Sequence, residues 1–156
     1  MKMENMQSNI IEAEPFVDGY LLYLMAQASA AVSAAFHRQI EEQGIPVWKW
    51  RILASLYPEK QLKVGQLAQK CLAKQPTLTR QLDRLCREGL TRRGAAKADR
   101  RGVVISLTQD GKMVAEKLIS LAREHEADVL KDYSEGQIET LKSMLEELRF
   151  RASEPR

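Results

Sequence analysis

Residues 75–108 read QPTLTRQLDRLCREGLTRRGAAKADRRGVVISLT, and this stretch decides the fold of the 156-residue chain. Its first third carries apolar residues three and four positions apart, at Leu78, Leu82 and Leu85. That spacing puts them on one helical face and predicts a helix over 77–88, which ends at Gly89. Pro76 suits the first turn of this helix, because the N–H group that proline lacks would have no intrahelical acceptor there.

The rest of the stretch predicts a β-hairpin. Val103, Ile105 and Leu107 alternate with Val104 and Ser106 at the period of two of a strand, and 90–95 supplies the partner strand. The segment 96–102 between them is polar and charged, so it forms the exposed tip. Upstream, 64–71 predicts a short helix, separated from the next one by the brief break 72–75. Two helices joined by a tight turn and followed by such a hairpin form a winged helix-turn-helix.

Longer amphipathic helices flank this unit on both sides, so the fold class is mainly α with a small β-hairpin wing. One helix is predicted over 20–43 and a second over 47–56, divided at the helix-ending Gly44. Thr108 is a good N-cap for a third, which extends to about residue 132, and a fourth begins at Ser134. The last helix carries an apolar stripe at the spacing of a helix–helix seam: Ile138, Leu141, Leu145 and Leu148.

Positive charge is concentrated in the same central segment. Residues 62–101 contain 11 basic side chains against 3 acidic ones, a net charge of +8, so the rest of the chain carries −5 within a total of +3. Self-repulsion makes such a segment unfavourable in a compact fold. Duplex DNA is the simplest partner that compensates for it, because Lys and Arg that neutralise phosphates release counterions.

The apolar stripes of the flanking helices also need a partner surface. They pack on one another within a subunit, or they interleave with a second copy in an intertwined homodimer. We favour the homodimer, because a single small module rarely has enough contacts for specific DNA affinity. A two-fold dimer sets two recognition helices about 34–36 Å apart, one turn of a pseudo-palindromic site.

These assignments predict one domain over 16–151, preceded by a disordered or loosely ordered segment, 1–15. Within the domain, 46–108 is the DNA-binding lobe of the winged helix-turn-helix type. The dimerisation helices are 16–43 and 109–151.

The sequence contains no motif typical of a catalytic site, a phosphate-binding loop or a metal site. His37 and His125 are far apart, and there is no nucleophile elbow, phosphate loop or metal-ligand spacing, so we predict no enzyme, no cofactor and no metal. No apolar run reaches the roughly 18 residues of a membrane span, and the acidic N-terminus is unlike a secretory signal, which favours a cytoplasmic, nucleoid-associated protein. A winged-helix protein-interaction module without DNA binding is the alternative, but it leaves the charge unexplained.

The wing segment resembles a known family. Asp99–Thr108 matches the D-x-R-x-x-x-x-x-L-T wing signature of the multiple-antibiotic-resistance-regulator (MarR) family. Residues 75–85 resemble the recognition helix of that family, 88–93 its entry into the wing and 44–53 its second helix. The resemblance extends from Gly19 to about residue 150. It implies a homodimer with an α-α-β-α-α-β-β-α-α order of elements, in which 62–64 is a minimal first strand. It also implies a regulator of nearby genes, often released by a small phenolic or aromatic carboxylate.

Recognition-helix residues are assigned roles by their position. Thr77, Thr79 and Arg80 lie at the exposed N-terminal turn and are the predicted base readers, because Arg pairs bidentately with guanine. Gln75 is predicted just before the helix, near the groove floor. Arg84, one turn further on, is predicted to meet phosphate.

Wing residues are predicted to add a minor-groove contact. Arg101 at the tip suits the strong negative potential of a narrow minor groove, and Asp99 is predicted to hold it through a carboxylate–guanidinium pair. The remaining wing cations are predicted to make plain electrostatic contacts with DNA: Arg92, Arg93, Lys97 and Arg100.

Aromatic residues on the first two helices suggest an effector pocket. In this hypothesis Arg51 is a buried cation that pairs with an aromatic carboxylate, and Trp50 or Tyr23 lines the ring, beside Tyr20 and His37. The alternative is that Trp50 belongs to the core and Arg51 to a structural salt bridge. Thiol-based redox sensing at Cys71 or Cys86 is a further possibility, but both occupy apolar-stripe positions, which favours core packing.

Overall fold

A computed structural model describes residues 15–58, 60–95 and 103–153. Its elements, in chain order, are α1 (Phe16–Gly19), α2 (Leu21–Glu42), α3 (Val47–Leu56), β1 (Leu62–Lys63), α4 (Val64–Lys70), α5 (Gln75–Arg87), β2 (Thr91–Ala95), β3 (Val103–Leu107), α6 (Gln109–Val129) and α7 (Glu135–Ser153). The predicted fold class, mainly α with a winged helix-turn-helix, is confirmed. The predicted tip 96–102 and most of the N-terminal segment 1–15 lie outside the described residues.

Element boundaries differ from the predictions at a few ends. An extended Tyr20 separates the single turn α1 from α2, so the N-terminal helix is preceded by a short extra one. Helix α5 begins at Gln75, two residues before the predicted start, because Lys74 takes the extended N-cap conformation and proline is tolerated at the second helical position. Helix α6 ends at Val129, three residues short of the predicted end.

The chain divides into two compact units, 1–35 and 36–156. The described part of the first unit holds α1 and most of α2, and its large apolar side chains are exposed to solvent. They include Phe16, Val17, Leu21, Leu22, Leu24 and Val32. Over the described residues of this unit, 15–35, no side chain is buried.

The second unit contains the hydrophobic core. Helix α5 contributes the predicted leucine stripe to it, and α3, α4, β3 and α6 close around that stripe. The largest fully buried side chains are Ile40, Ile52, Leu53, Leu56, Leu67, Leu78, Leu82, Leu85, Ile105 and Leu118. Helix α7 contributes no buried residue.

A three-stranded antiparallel sheet, in the order β1-β3-β2, forms the base of the wing. Leu62 pairs with Ile105 across β1 and β3, and Thr91 pairs with Leu107 across β2 and β3. Since side chains alternate along a strand, Ile105 and Leu107 face the core. Arg93, opposite Ile105, therefore lies on the sheet face that is turned toward the core.

Helix α6 is joined to the end of α5 through its N-cap. The Thr108 hydroxyl donates to the Gly89 carbonyl at 2.6 Å and accepts from the Gly111 N–H at 3.0 Å. The Thr108 N–H donates to the Leu90 carbonyl at 3.1 Å. A Cβ atom on Gly111 would lie 1.9 Å from that same Leu90 oxygen, so only glycine fits at this approach.

None of the helices in the described segments is long and apolar enough to cross a membrane.

Substituting Gly111→Ala is expected to lower the free energy of unfolding by about 1–3 kcal/mol, because the added methyl group overpacks the α6 junction. Gly136→Ala is the matched control, since Gly136 is also in the first turn of a helix and a Cβ atom there meets nothing within 4 Å. The control is expected to be neutral or to stabilise by up to about 1 kcal/mol. Urea unfolding followed by circular dichroism measures both, and equal effects of the two substitutions would contradict the close approach.

Candidate nucleic-acid interface

Helix α5 presents a polar, basic face opposite its buried leucines. Thr77, Arg80 and Arg84 are exposed along it, and Gln75 is exposed at the start of the helix. Arg80 has no ion pair or hydrogen bond among the described residues, so its guanidinium is available for a base or a phosphate. The helix therefore offers cationic and hydroxyl donors on the side that faces away from the core.

Two of the predicted recognition residues differ from expectation in their local setting. Gln75 was expected just before the helix but is its first residue, which is the physical consequence of the Lys74 N-cap. Thr79 is half-buried rather than fully exposed, and its hydroxyl donates to the Gln75 carbonyl at 3.0 Å. This internal hydrogen bond uses the Thr79 proton, so its hydroxyl can offer only an acceptor to DNA without rearranging.

The wing strand β2 directs its two arginines to opposite faces. Arg93 pairs with Asp83 of α5, with 2.6 Å between Nη2 and Oδ1. Arg92 donates through Nε to the Ser106 hydroxyl at 3.3 Å, on the other face of the sheet. Both had been predicted as plain electrostatic contacts with DNA. Arg93 also ties the recognition helix to the wing.

The four other predicted wing residues belong to the tip. Lys97, Asp99, Arg100 and Arg101 lie outside the described residues. The minor-groove contact of Arg101 and the supporting pair with Asp99 therefore stay predictions.

A second set of contacts ties α5 to α3, and we call it the Glu88 cluster: Trp48, Lys49, Arg84 and Glu88. Lys49 Nζ lies 2.6 Å from Glu88 Oε2, and Arg84 Nε lies 2.9 Å from Glu88 Oε1. The Arg84 guanidinium also stands over the Trp48 ring, 5.6 Å from its centroid. The hydrogen bond from Lys49 holds the pKa of the Glu88 carboxyl below its ordinary value, and the bond from Arg84 adds to this effect.

The predicted effector residues are divided between the two units. Tyr20 and Tyr23 belong to the first unit, and both are exposed. In the second unit, the Phe36 ring meets the Trp50 ring edge-on, with 5.1 Å between their centroids. The centroid of Phe36 also lies 5.8 Å from that of His125 and 6.3 Å from that of His37. We call Phe36, His37, Trp50 and His125 the aromatic cluster.

Arg51 does not fit the expected buried cation. Its side chain is exposed, because Ile52, Leu53 and Leu56 form the buried face of α3 and Arg51 lies on the opposite side of the helix. Among the described residues, Arg51 has no salt-bridge partner, so the alternative of a structural ion pair stays a prediction.

Neither cysteine is fully exposed to solvent. Cys71 is buried, with its sulfur 3.7 Å from the Ser55 hydroxyl, and burial raises the pKa of its thiol. Cys86 is half-buried, 3.4 Å from the Thr91 hydroxyl. Because the thiolate is the reactive form, the raised pKa of Cys71 favours a packing role over redox sensing.

Sequence reasoning missed the supports of the recognition helix. The Arg84–Glu88 pair has the i,i+4 spacing of a helix-surface contact and was open to prediction. Lys49 is 39 residues from Glu88, so no local signal could have linked them. The stacking of His125 on Phe36 likewise depends on how α6 packs.

The fold and this surface together define a winged helix-turn-helix DNA-binding protein. A MarR family model matches residues 47–103. A MarR family transcriptional regulator from Silicibacter pomeroyi has a crystal structure that matches with a TM-score of 0.72 and 37% identity, over 85% of this chain and 99% of that one. The organic hydroperoxide resistance transcriptional regulator of Bacillus subtilis is 26% identical, over 67% of this chain and 71% of its own. The homoprotocatechuate degradative operon repressor of Escherichia coli is 25% identical, over 81% of this chain and 86% of its own.

The chain belongs to the MarR family of transcriptional regulators. The relatives named here are regulators rather than enzymes, in line with the sequence prediction.

Proposed function

We propose that this protein is a homodimeric repressor that binds a pseudo-palindromic duplex operator and leaves it when a small aromatic acid binds. The observation that carries the DNA-binding part is the exposed basic face of α5, which ion pairs support from both the wing and α3. Repression follows the relative from Escherichia coli, whose name describes an operon repressor. A cytoplasmic, nucleoid-associated location belongs to the same proposal.

The charge distribution supports a DNA partner over a protein partner. The segment 62–101 carries a net charge of +8, and α5 lies at its centre. Arg80 and Thr77 are exposed near the N-terminal end of α5, which is the end that meets base edges in helix-turn-helix proteins. We assign base reading to Arg80 and Thr77, with Gln75 and Thr79 beside them.

Arg80→Ala is expected to weaken binding to the operator by about 1–3 kcal/mol and to reduce discrimination between sequences. Lys131→Ala is the control, because it removes one positive charge from the exposed α6–α7 connection, away from α5. Fluorescence anisotropy on DNA from upstream of the protein's own gene, at several salt concentrations, measures both. DNA binding would be contradicted if the wild-type protein does not bind this DNA, or if its affinity does not fall as the salt concentration rises. Contacts with phosphates release counterions, so they make affinity depend on salt.

Exposed apolar surface on the terminal helices supports the homodimer. On α7, Leu141, Leu145 and Leu148 are 54%, 42% and 42% exposed, and they lie on one face of the helix. Contiguous apolar patches of this kind mark association surfaces in soluble proteins. A second copy is the partner that brings two recognition helices to one operator.

Leu145→Glu is expected to convert the dimer to a monomer at micromolar concentration, because it buries a charge at the seam. Ser143→Glu adds the same charge about 160° around α7, so it is expected to leave the dimer intact. Sedimentation velocity gives the mass of each species. A wild-type chain that stays monomeric at tens of micromolar would contradict the proposal.

The aromatic cluster supports the effector part of the proposal. It combines the flat apolar surfaces of Phe36 and Trp50 with two half-buried imidazoles, His37 and His125, that can donate to a carboxylate. Tyr20 and Tyr23 belong to the first unit, so they are not assigned to this cluster and stay predictions from the sequence. Arg51 is assigned no buried role.

Benzoate or phenylacetate is expected to change the fluorescence of Trp50 and to weaken DNA binding. A Trp48→Phe background leaves Trp50 as the only tryptophan, so the signal reports on the aromatic cluster. His125→Ala is expected to weaken the response, whereas Arg51→Ala is the control and is expected to respond like the parent. No spectral change at millimolar acid, or an equal response in His125→Ala, would remove the effector site.

A further inference from the structure

Glu88 is an acidic residue at a position where a negative charge is electrostatically unfavourable. Glu88 is the C-cap residue of α5, where the helix dipole disfavours a negative charge. It also lies within the segment that carries a net charge of +8, where an acid opposes the approach of DNA. Nevertheless it is only 30% exposed and bonded to two cations, so its carboxylate has a fixed position.

The two cations on Glu88 differ in how much of them is left for another partner. The Lys49 side chain is 18% exposed, so it is largely committed to the Glu88 carboxylate. The Arg84 side chain is 60% exposed. Only Nε of Arg84 is used, and its two terminal amino groups have no hydrogen-bond partner among the described residues.

The Arg84 guanidinium also lies over the Trp48 ring. Its carbon stands 5.6 Å from the centroid of the Trp48 ring, within the range of a cation–π contact. An edge contact to Glu88 and a face contact to Trp48 together restrict a side chain that otherwise loses much rotamer entropy on binding. The unused donors are left on the outer edge of a planar fork, which is the geometry that suits a phosphate.

We propose that Trp48 and Glu88 are positioning residues that hold Arg84 ready to grip a backbone phosphate of the operator. The inference rests on the proposed DNA interface and deepens it, because it assigns an acid and an aromatic residue a favourable role in DNA affinity. Lys49 anchors the carboxylate, Glu88 orients the Nε edge, and Trp48 supports the face of the guanidinium. The gain comes from a lower entropic cost of ordering Arg84.

Glu88→Gln separates this role from simple electrostatics, because the two predict opposite signs. Removal of an acid from a basic surface strengthens DNA binding if charge alone matters. If Glu88 positions Arg84, Glu88→Gln instead weakens binding by about three- to tenfold, the size of the cost of ordering one long side chain on binding. Arg84→Ala removes the contact itself, so it is expected to make the slope of log affinity against log salt shallower by about 0.9.

An Arg84→Ala background provides the matched control. There, the second change Glu88→Gln is expected to be neutral or to strengthen binding, because no arginine remains to be positioned. A merely structural effect of Glu88→Gln on the end of α5 would weaken binding in this background too. Trp48→Leu is expected to lower affinity about threefold only when Arg84 is present, and Trp48→Phe is expected to restore most of it.

Anisotropy titrations of these variants on the operator duplex, with circular dichroism as a check on folding, decide the matter. The inference is overturned if wild type binds DNA and Glu88→Gln binds equally well or more tightly. It is also overturned if Glu88→Gln weakens binding as much without Arg84 as with it. Failure of wild type to bind DNA in a salt-dependent manner overturns the proposed function itself, which is a distinct result.

Discussion

The hydrogen bonds of Thr108 are the constraint on which the rest of the second unit depends. One hydroxyl caps α6 and donates to the carbonyl of Gly89, just beyond the end of α5. The backbone of Thr108 also bonds to Leu90, where the chain enters the wing. The recognition helix, the wing and the longest helix of this unit therefore meet at one threonine, and Gly111 is the residue that lets them approach.

From this junction, the recognition helix is supported along two flanks. Asp83 and Arg84 are adjacent in sequence and so point about 100° apart around the helix. Asp83 binds the wing through Arg93, and Arg84 belongs to the cluster that reaches α3. Exposed ion pairs of this type contribute only about 0.2–1 kcal/mol each, so their effect is on the direction of the side chains more than on stability. Salt screens these internal pairs as well as the phosphate contacts, and both therefore enter the measured salt dependence of binding.

Local patterns were sufficient to predict most of the fold. The leucines of α5 and the N-cap at Thr108 each act within one or two turns of chain, and each was found where predicted. The strand β3 also lies where predicted, but its burial does not alternate, because Val103 is exposed and Val104 is buried. The predicted start of the last helix at Ser134 was confirmed too, since the Ser134 N–H donates to Gln137 Oε1 at 2.9 Å and the Gln137 N–H donates to Ser134 Oγ at 3.3 Å. Such signals are readable because their partners are near in sequence.

The site was less predictable, because it depends on how elements dock. The polar and basic residues on the exposed face of α5 were evident from the sequence. The contact of Lys49 with Glu88 was not, because the two residues are 39 positions apart in the chain. Arg51 was predicted to be buried but is exposed, because Ile52, Leu53 and Leu56 form the buried face of α3. The two tryptophans of α3 made more than one buried face compatible with its sequence. From the sequence alone, a half-buried aromatic side chain is compatible with either a core or a surface position, and only the packing of its helix against the neighbouring helices decides between them.

Helix α6 has a mechanical consequence of its own. It is an unbroken rod of 21 residues, with the Thr108 junction at one end and His125 of the aromatic cluster near the other. The 14 residues from Gly111 to His125 span about 21 Å, so a tilt of about 5° at one end displaces the other by about 2 Å. Because a continuous helix moves as one body, any change of tilt at the Thr108 junction is carried along α6 to the side chains around His125.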